Sequence, residues 1–550
     1  MARPRRRDRW GIVSLVAFGV VLAALVWPLA EVLRTSLTGE GGRLVLAENY
    51  RRVFTHRYYY SAAVNSLVLS SLATVGAVLV GTPLAIAVAR YPMPGKALIR
   101  TAANLALLSP PFIGAYSWVV LFGRSGLLNR WLEPTGWGLP TIYGYRGILL
   151  VFVVQYFPFV FLLVSGALAA VDQSIEDAAL SLGSRPGRSF RTAILPVIAP
   201  SLTAGALLVF MATMADFGTP MLIGEGLRTL PTLMYGEFIN ELGGNPSIAS
   251  TLGSLLILVN TAALMAQRYF AFRRAYHVVC LQPLGVRRLA PGWRAVATVL
   301  VYGVIGVALI PAATILVSSF MPTRGPVMYA GWSLGSYATV FHLIPRAIVN
   351  TFALTAGAVA LDVGLGMLVA YLLVRRRSRA HALLDALVML AYAIPGTVVG
   401  VGLIIVYNRP PVVLTGTWVI LLVSYFIRHL PYPVRSCAAM LQQIDIRVEE
   451  ASVSLGVPPF RTFCQVTVPL MLPAIVSGAT LAWITTIGEL SSSILLYSGP
   501  WATMSVEIFT QVFSNHFGTA SALGSILIVA ASVPLFLTYR LLGERSTLRI

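Results

Sequence analysis

The stretch Ile175–Pro200, IEDAALSLGSRPGRSFRTAILPVIAP, returns as Val448–Pro473, VEEASVSLGVPPFRTFCQVTVPLMLP. Glu176 maps to Glu449, Gly183 to Gly456, Pro186 to Pro459, Pro196 to Pro469 and Pro200 to Pro473, each pair 273 positions apart. Pro158 and Pro431, Asp172 and Asp445, and Asp216 and Glu489 keep that offset on either side. Upstream, Asn65 and Ala85 align with Asn350 and Ala370 at 285, and Tyr50 and Phe54 with Tyr337 and Phe341 at 287. A repeat of this length makes the chain two copies of one plan, the first carrying about 12 extra residues near 123–146.

What surrounds the repeat is apolar. Of 550 residues, 57% are hydrophobic and only 11% are Asp, Glu, Lys or Arg, against roughly 25% in a typical soluble domain. So few charges cannot cover a soluble surface of this size, and a bilayer is the simplest surrounding. The 40 basic residues outnumber the 20 acidic ones, and Lys96 is the single lysine. A nucleic-acid binder would gather that charge on one water-facing patch; here it sits in short clusters between apolar runs. Cys280, Cys437 and Cys464 are scattered, which excludes a disulfide framework or a structural zinc site.

A helix needs about 20 mainly apolar residues to cross the hydrocarbon. Twelve segments qualify: 11–35, 62–89, 100–122, 147–170, 197–218, 247–268, 295–319, 347–374, 382–407, 413–436, 470–493 and 519–540. The apolar stretch of the first is too long for a cleaved signal peptide. Arginine clusters occupy alternate loops, at Arg3–Arg9, Arg90–Arg100, Arg185–Arg191, Arg273–Arg294, Arg375–Arg379, Arg435–Arg461 and Arg540–Arg549. The positive-inside bias then puts those loops and both termini in the cytoplasm, while Tyr58, Tyr59, Tyr60 and the run Gly136–Tyr145 face outward. The expected division is a basic segment 1–10, a first half 11–268, a linker 269–294, a second half 295–541 and a tail 542–550. Six spans per half give both halves the same orientation about an axis along the membrane normal, with a pathway between them.

The repeated loop reads as a short helix. Asp172 and Asp445 are N-caps, and Glu176, Asp177, Glu449 and Glu450 follow near the positive end of the helix dipole. Gly183 and Gly456 suit a left-handed C-terminal cap, after which Pro186 and Pro459 restart the chain. Ala178 and Ala179, or Ala451 and Ser452, are small enough to let another surface approach. A passive connector requires none of this, so the repetition points to docking of a partner.

These residues, E-D-A-A-x3-G-x10-I-L-P and E-E-A-S-x3-G-x10-T-V-P, resemble the EAA loop of the permeases of binding-protein-dependent, type I ABC importers. Asp177 and Glu450 depart from the family's first Ala, and Ser452 from its second. The resemblance implies an all-α polytopic membrane protein of about 12 transmembrane helices, in two parallel six-helix repeats of the type I permease fold. It implies that each loop is a coupling helix seated on an ATP-binding subunit. A fused permease of this kind serves two copies of an ABC ATPase inside and a substrate-binding protein outside, in a bacterial or archaeal cytoplasmic membrane, with membrane lipid and no nucleic acid as its surroundings. ATP and Mg belong to the partner ATPase and no cofactor to this chain, which has no P-loop: Lys96 follows Gly95 but precedes Ala97, and no glycine stands at the earlier position. Fused permeases of this length include importers of ferric iron, thiamine, polyamines and 2-aminoethylphosphonate. Ala115–Arg130 and Gly488–Phe509 resemble the ferric-iron group.

Asp216 and Glu489, at equivalent positions near the ends of two spans, are the acidic residues whose placement is costly enough to suggest function. Facing one another across the axis they would favour a cation; hydrated or capping a helix at the interface they would be structural. Asp362 and Asp385 have no counterparts in the first half and read as structural. A secondary transporter would have no reason to repeat the loop, a channel would need a filter motif, and a membrane enzyme a cluster that the six histidines do not form.

Overall fold

In lipid every backbone N–H and C=O must be paired within the segment or its sheet, and this chain meets the demand almost wholly with helices. The computed structural model describes residues 9–39, 43–45, 47–135, 140–239, 244–273, 282, 284–287 and 290–542. Most of the expected N-terminal basic segment, much of the linker and nearly all of the tail lie outside the described residues.

The first half contains α1 (Trp10–Ser36), α2 (Arg57–Arg90), α3 (Lys96–Leu108), α4 (Pro111–Phe122), α5 (Tyr145–Ala169), the short α6 (Gln173–Ser181), α7 (Pro186–Ala215) and α8 (Pro246–Arg273). The second contains α9 (Pro291–Ser318), α10 (Pro345–Arg375), α11 (Arg379–Ala393), α12 (Gly396–Tyr407), α13 (Trp418–His429), α14 (Pro431–Gln443), α15 (Ile446–Ser454), α16 (Pro459–Ile487) and α17 (Phe517–Leu542). Two short hairpins, Thr323–Arg324 with Val327–Met328 and Asn408–Arg409 with Val412–Val413, are the strands among the described residues.

Among the described residues nine helices are long and apolar enough to span a membrane, or eleven if each of two bent pairs is one span. The expectation of twelve differs at the segment 413–436, which falls on α13 and α14. These are too short singly, break at Leu430 before Pro431, and carry Arg428, His429 and Arg435.

The bent pairs are counterparts. Helix α3 meets α4 at 95° and α11 meets α12 at 110°. Pro110 and Pro395, 285 apart, have no N–H for the carbonyl four residues back and push Ser109 and Ile394 into extended conformations. Near the start of α7 and α16 the chain widens into π-turns at Phe190–Ile194 and Phe463–Thr467. Pro196 and Pro469 follow; a wider turn makes room for a proline ring that would clash with the carbonyl of Thr192 or Gln465.

In the first half α7 packs on both α2 and α5; in the second, α16 packs the same way on α10 and α14. Without a hydrophobic drive between helices in lipid, close approach supplies the contact. A Cβ on Gly81 of α2 would fall 2.7 Å from the Phe157 carbonyl oxygen, and one on its counterpart Gly366 would fall 2.9 Å from Pro433. The first helix of each half crosses over: α1 lies against α12, and α9 against α3 and α4. The extra residues of the first half stand between Phe122 and Tyr145, where Leu127–Leu132 forms a helical turn; the second half covers that gap with the hairpin before Trp418.

Candidate functional site

The structure builds two kinds of site from the repeat, a pair of short helices and a cavity between the halves.

Helix α6 starts where an Asp172 oxygen accepts from the Ser174 N–H at 2.8 Å, and α15 where Asp445 accepts from Arg447 at 2.9 Å. Both end the same way, with Gly183 at φ 81° and Gly456 at φ 90°. The Ser184 N–H donates to the Ala179 carbonyl at 3.1 Å and that of Val457 to Ser452 at 3.2 Å, closing each helix with a Schellman turn.

Glu176 and Glu449 do not face solvent. Glu176 is 1% exposed and paired with Arg90 and, at 2.6 Å, with Arg287. Glu449 is paired with Arg375 at 2.9 Å and accepts from the Tyr371 hydroxyl at 3.0 Å. Arg90 and Arg375 are the last-turn arginines of α2 and α10, again 285 apart. Each glutamate therefore ties its short helix to a core helix. The outward faces carry Asp177, Ala178 and Leu182 on α6, and Glu450, Ala451 and Leu455 on α15. Leu182 is 87% exposed and Leu455 86%, a repeated leucine left uncovered by the described residues. Ala179 and Ser452 are half-buried, and Ser452 shares a hydrogen bond with Thr462 at 3.0 Å.

Loop-charge reasoning explains Arg90 and Arg375 as topology markers and so misses their pairing. Their common offset with Asn65 and Asn350 was the available signal.

The surroundings of the two loops differ. Linker residues lie over α6: the Gln282 N–H donates to Asp172 at 2.9 Å and the Gly285 N–H to Gln173 at 2.8 Å. Beside α15, Trp10 of α1 stacks on Tyr371 at 4.2 Å and meets Phe463 edge-on at 5.3 Å.

A cavity of about 280 Å³ lies between the halves, with both Asp216 and Glu489 on its wall. Asp216 ends α7 and caps the turn that follows. It accepts from the Thr219 N–H at 3.0 Å, the Thr219 hydroxyl at 3.1 Å and the Tyr156 hydroxyl at 3.2 Å. Glu489 accepts from the Ser492 N–H at 3.0 Å and forms an ion pair with Arg428. Each carboxylate thus both caps a helix and lines the cavity. Asp385 is paired with Arg435 at 2.9 Å and lies away from it. Asp362 is buried within α10 without a hydrogen-bond partner among the described residues, and it too lies outside the cavity.

At the opposite end of α5 from α6, Arg124 pairs with Glu225 at 2.6 Å beneath Tyr143, whose phenol is pushed up from its ordinary range by burial first and by the Glu225 carboxylate second. Arg130 reaches the Met328 carbonyl of the other half at 2.5 Å.

The chain is 29% identical to the ferric transport system permease protein FbpB of Actinobacillus pleuropneumoniae, over 89% of this chain and 72% of that one. It is 25% identical to the Fe(3+)-transport system permease protein FbpB 2 of Haemophilus influenzae, over 97% and 98%. A stretch covering 40% of the chain is 31% identical to 79% of the putative 2-aminoethylphosphonate transport system permease protein PhnU of Salmonella typhimurium. The model of the binding-protein-dependent transport system inner membrane component matches twice, at residues 81–276 and 362–547. With both halves matched and most of the chain covered, this protein belongs to the family of binding-protein-dependent transport system inner membrane components.

Proposed function

We propose that this chain is the fused membrane permease of a ferric-iron ABC importer, in which α6 and α15 each dock one copy of a separate ATPase. The observation that carries the reading is the repeated short helix tied to a core helix by a buried ion pair, Glu176 with Arg90 and Glu449 with Arg375. A force on the exposed face of α6 or α15 passes through that pair into α2 or α10, which pack along α7 or α16, the helices that end at the cavity. Hydrolysis of ATP belongs to the partner, and this chain supplies the pathway and the mechanical link.

Ferric iron as cargo is supported by the names of relatives that match nearly the full chain, and by two carboxylates on the cavity wall. The half-length phosphonate relative offers less, because it matches only 40% of the chain whereas the ferric relatives match 89% and 97% of it. The arginine clusters orient α6 and α15 to the cytoplasm, and the end bearing Arg124 and Arg130 then receives the iron-loaded binding protein outside.

Membrane vesicles holding the permease, its ATPase and its binding protein provide the test. ATP should drive accumulation of ferric iron; uptake of thiamine or a phosphonate in its place overturns the cargo.

A further inference from the structure

The two walls of the cavity are built from equivalent positions, and one equivalence is broken in charge. Position 155 on α5 is glutamine, and its counterpart 428 on α13 is arginine. The Gln155 amide donates to the Ser109 carbonyl at 2.8 Å and to that of Ala106 at 3.4 Å. These acceptors are open for a definite reason: Pro110 has no N–H for Ala106, and Ser109 ends the helix. Gln155 therefore closes the break between α3 and α4. In the second half Pro395 likewise has no N–H for the Ala391 carbonyl, and Ile394 stands where Ser109 does. Arg428 does not take that place. It reaches Glu489 instead.

Glycine makes the reach possible. A Cβ on Gly396 would fall 2.7 Å from an Arg428 guanidinium nitrogen and 2.9 Å from a Glu489 oxygen. Its counterpart in the first half is Pro111, beside which no such pair forms among the described residues.

We infer that Arg428 is a tethered counter-cation with two positions, on Glu489 as the structure shows it and on the Ala391 and Ile394 carbonyls once a cation takes Glu489. This deepens the iron reading and rests on it for the cargo. Glu489 has a second acceptor position in use by Ser492, so the arginine is the group that an arriving cation displaces. Asp216, held by neutral hydroxyl and backbone donors and in no ion pair among the described residues, receives the cargo from one side; Glu489 is released to it from the other. A tether of this sort keeps a bare carboxylate from being buried beside apolar walls, and it limits how tightly the cavity holds its cargo. Loose holding is what a transport site requires, since a deep well would trap the ion.

The test uses the whole transporter in vesicles and terbium(III), a hard trivalent cation whose luminescence is sensitised by nearby tyrosines such as Tyr156 and Tyr432. Arg428→Gln, which gives the second half the residue of the first, should tighten terbium binding at least tenfold and slow the maximal rate of ATP-driven iron uptake while lowering its KM. Arg428→Lys keeps the tethered charge and should bind terbium as the parent does. Gly396→Ala, which leaves every charge in place but obstructs the pair, should tighten binding in the same direction as Arg428→Gln. Unchanged or weaker terbium binding by Arg428→Gln, with Arg428→Lys folded and active, overturns the proposal. Failure of the parent to import iron while Arg428→Gln still binds terbium more tightly overturns the cargo and leaves the counter-cation standing.

Discussion

At the scale of single residues, the buried glutamates of the two loops are what tie each short helix to a core helix. Removing one partner of a buried ion pair costs about 3–5 kcal/mol, because the other charge is left unpaired. Glu176 has two arginines, Arg90 and Arg287, while the arginine on Glu449 is Arg375, with a tyrosine beside it. Arg375→Ala should therefore depress iron uptake and lower the melting temperature in detergent more than Arg90→Ala does. Equal losses would show that Arg287 contributes nothing. Leu182 and Leu455 make a second residue-scale prediction: Leu182→Glu with Leu455→Glu should abolish co-purification of the ATPase while leaving the melting temperature of the permease unchanged, since neither side chain is packed within the chain. The loops themselves were legible from sequence, caps, dipole and glycine included, because each signal is local. That Glu176 and Glu449 turn inward was not legible, because their partners lie about 74 to 111 positions away.

At the scale of elements, prolines decide which helices cross as rods and which bend. Pro110 and Pro395 break their spans, whereas Pro83 and Pro158 sit inside helices that continue. The type of residue is the same in all four, so hydropathy reads each segment as one span. The difference is what replaces the missing hydrogen bond: neighbouring packing tolerates a kink in a continuing helix, whereas at the first break the Gln155 amide pairs the freed Ala106 and Ser109 carbonyls. Gln155→Leu keeps the volume but removes the donor, and the Ser109 carbonyl then faces a cavity wall unpaired. Uptake should fall several-fold with membrane insertion intact, read by surface labelling beside transport; uptake equal to the parent's would mean that the break needs no side-chain support.

At the scale of the whole molecule, the halves are joined by more than the linker. Because α1 lies on α12 and α9 on α3 and α4, each half carries a helix that completes the other. Gly402 shows how close the contact is, since a Cβ there would fall 2.9 Å from the Pro28 carbonyl oxygen. Gly402→Val should push α1 from α12, at the roughly 1–3 kcal/mol typical of overpacking, and should lower the melting temperature. The effect should extend to the second loop, where Trp10 of α1 stacks on Tyr371. A protease cutting near α15 faster in the variant than in the parent would report it.

The repeat, the apolar runs and the loop caps were determined by sequence alone, because a helix that must satisfy its backbone in lipid announces itself through composition and spacing. The pairing of carboxylates was decided only by tertiary structure. Sequence places Asp216 and Glu489 at matching positions and gives them the same charge. The fold brings both to one cavity, then sets an arginine on one and neutral donors on the other. Charge at a site is a sum over everything within a few ångströms, and most of those neighbours arrive from distant parts of the chain.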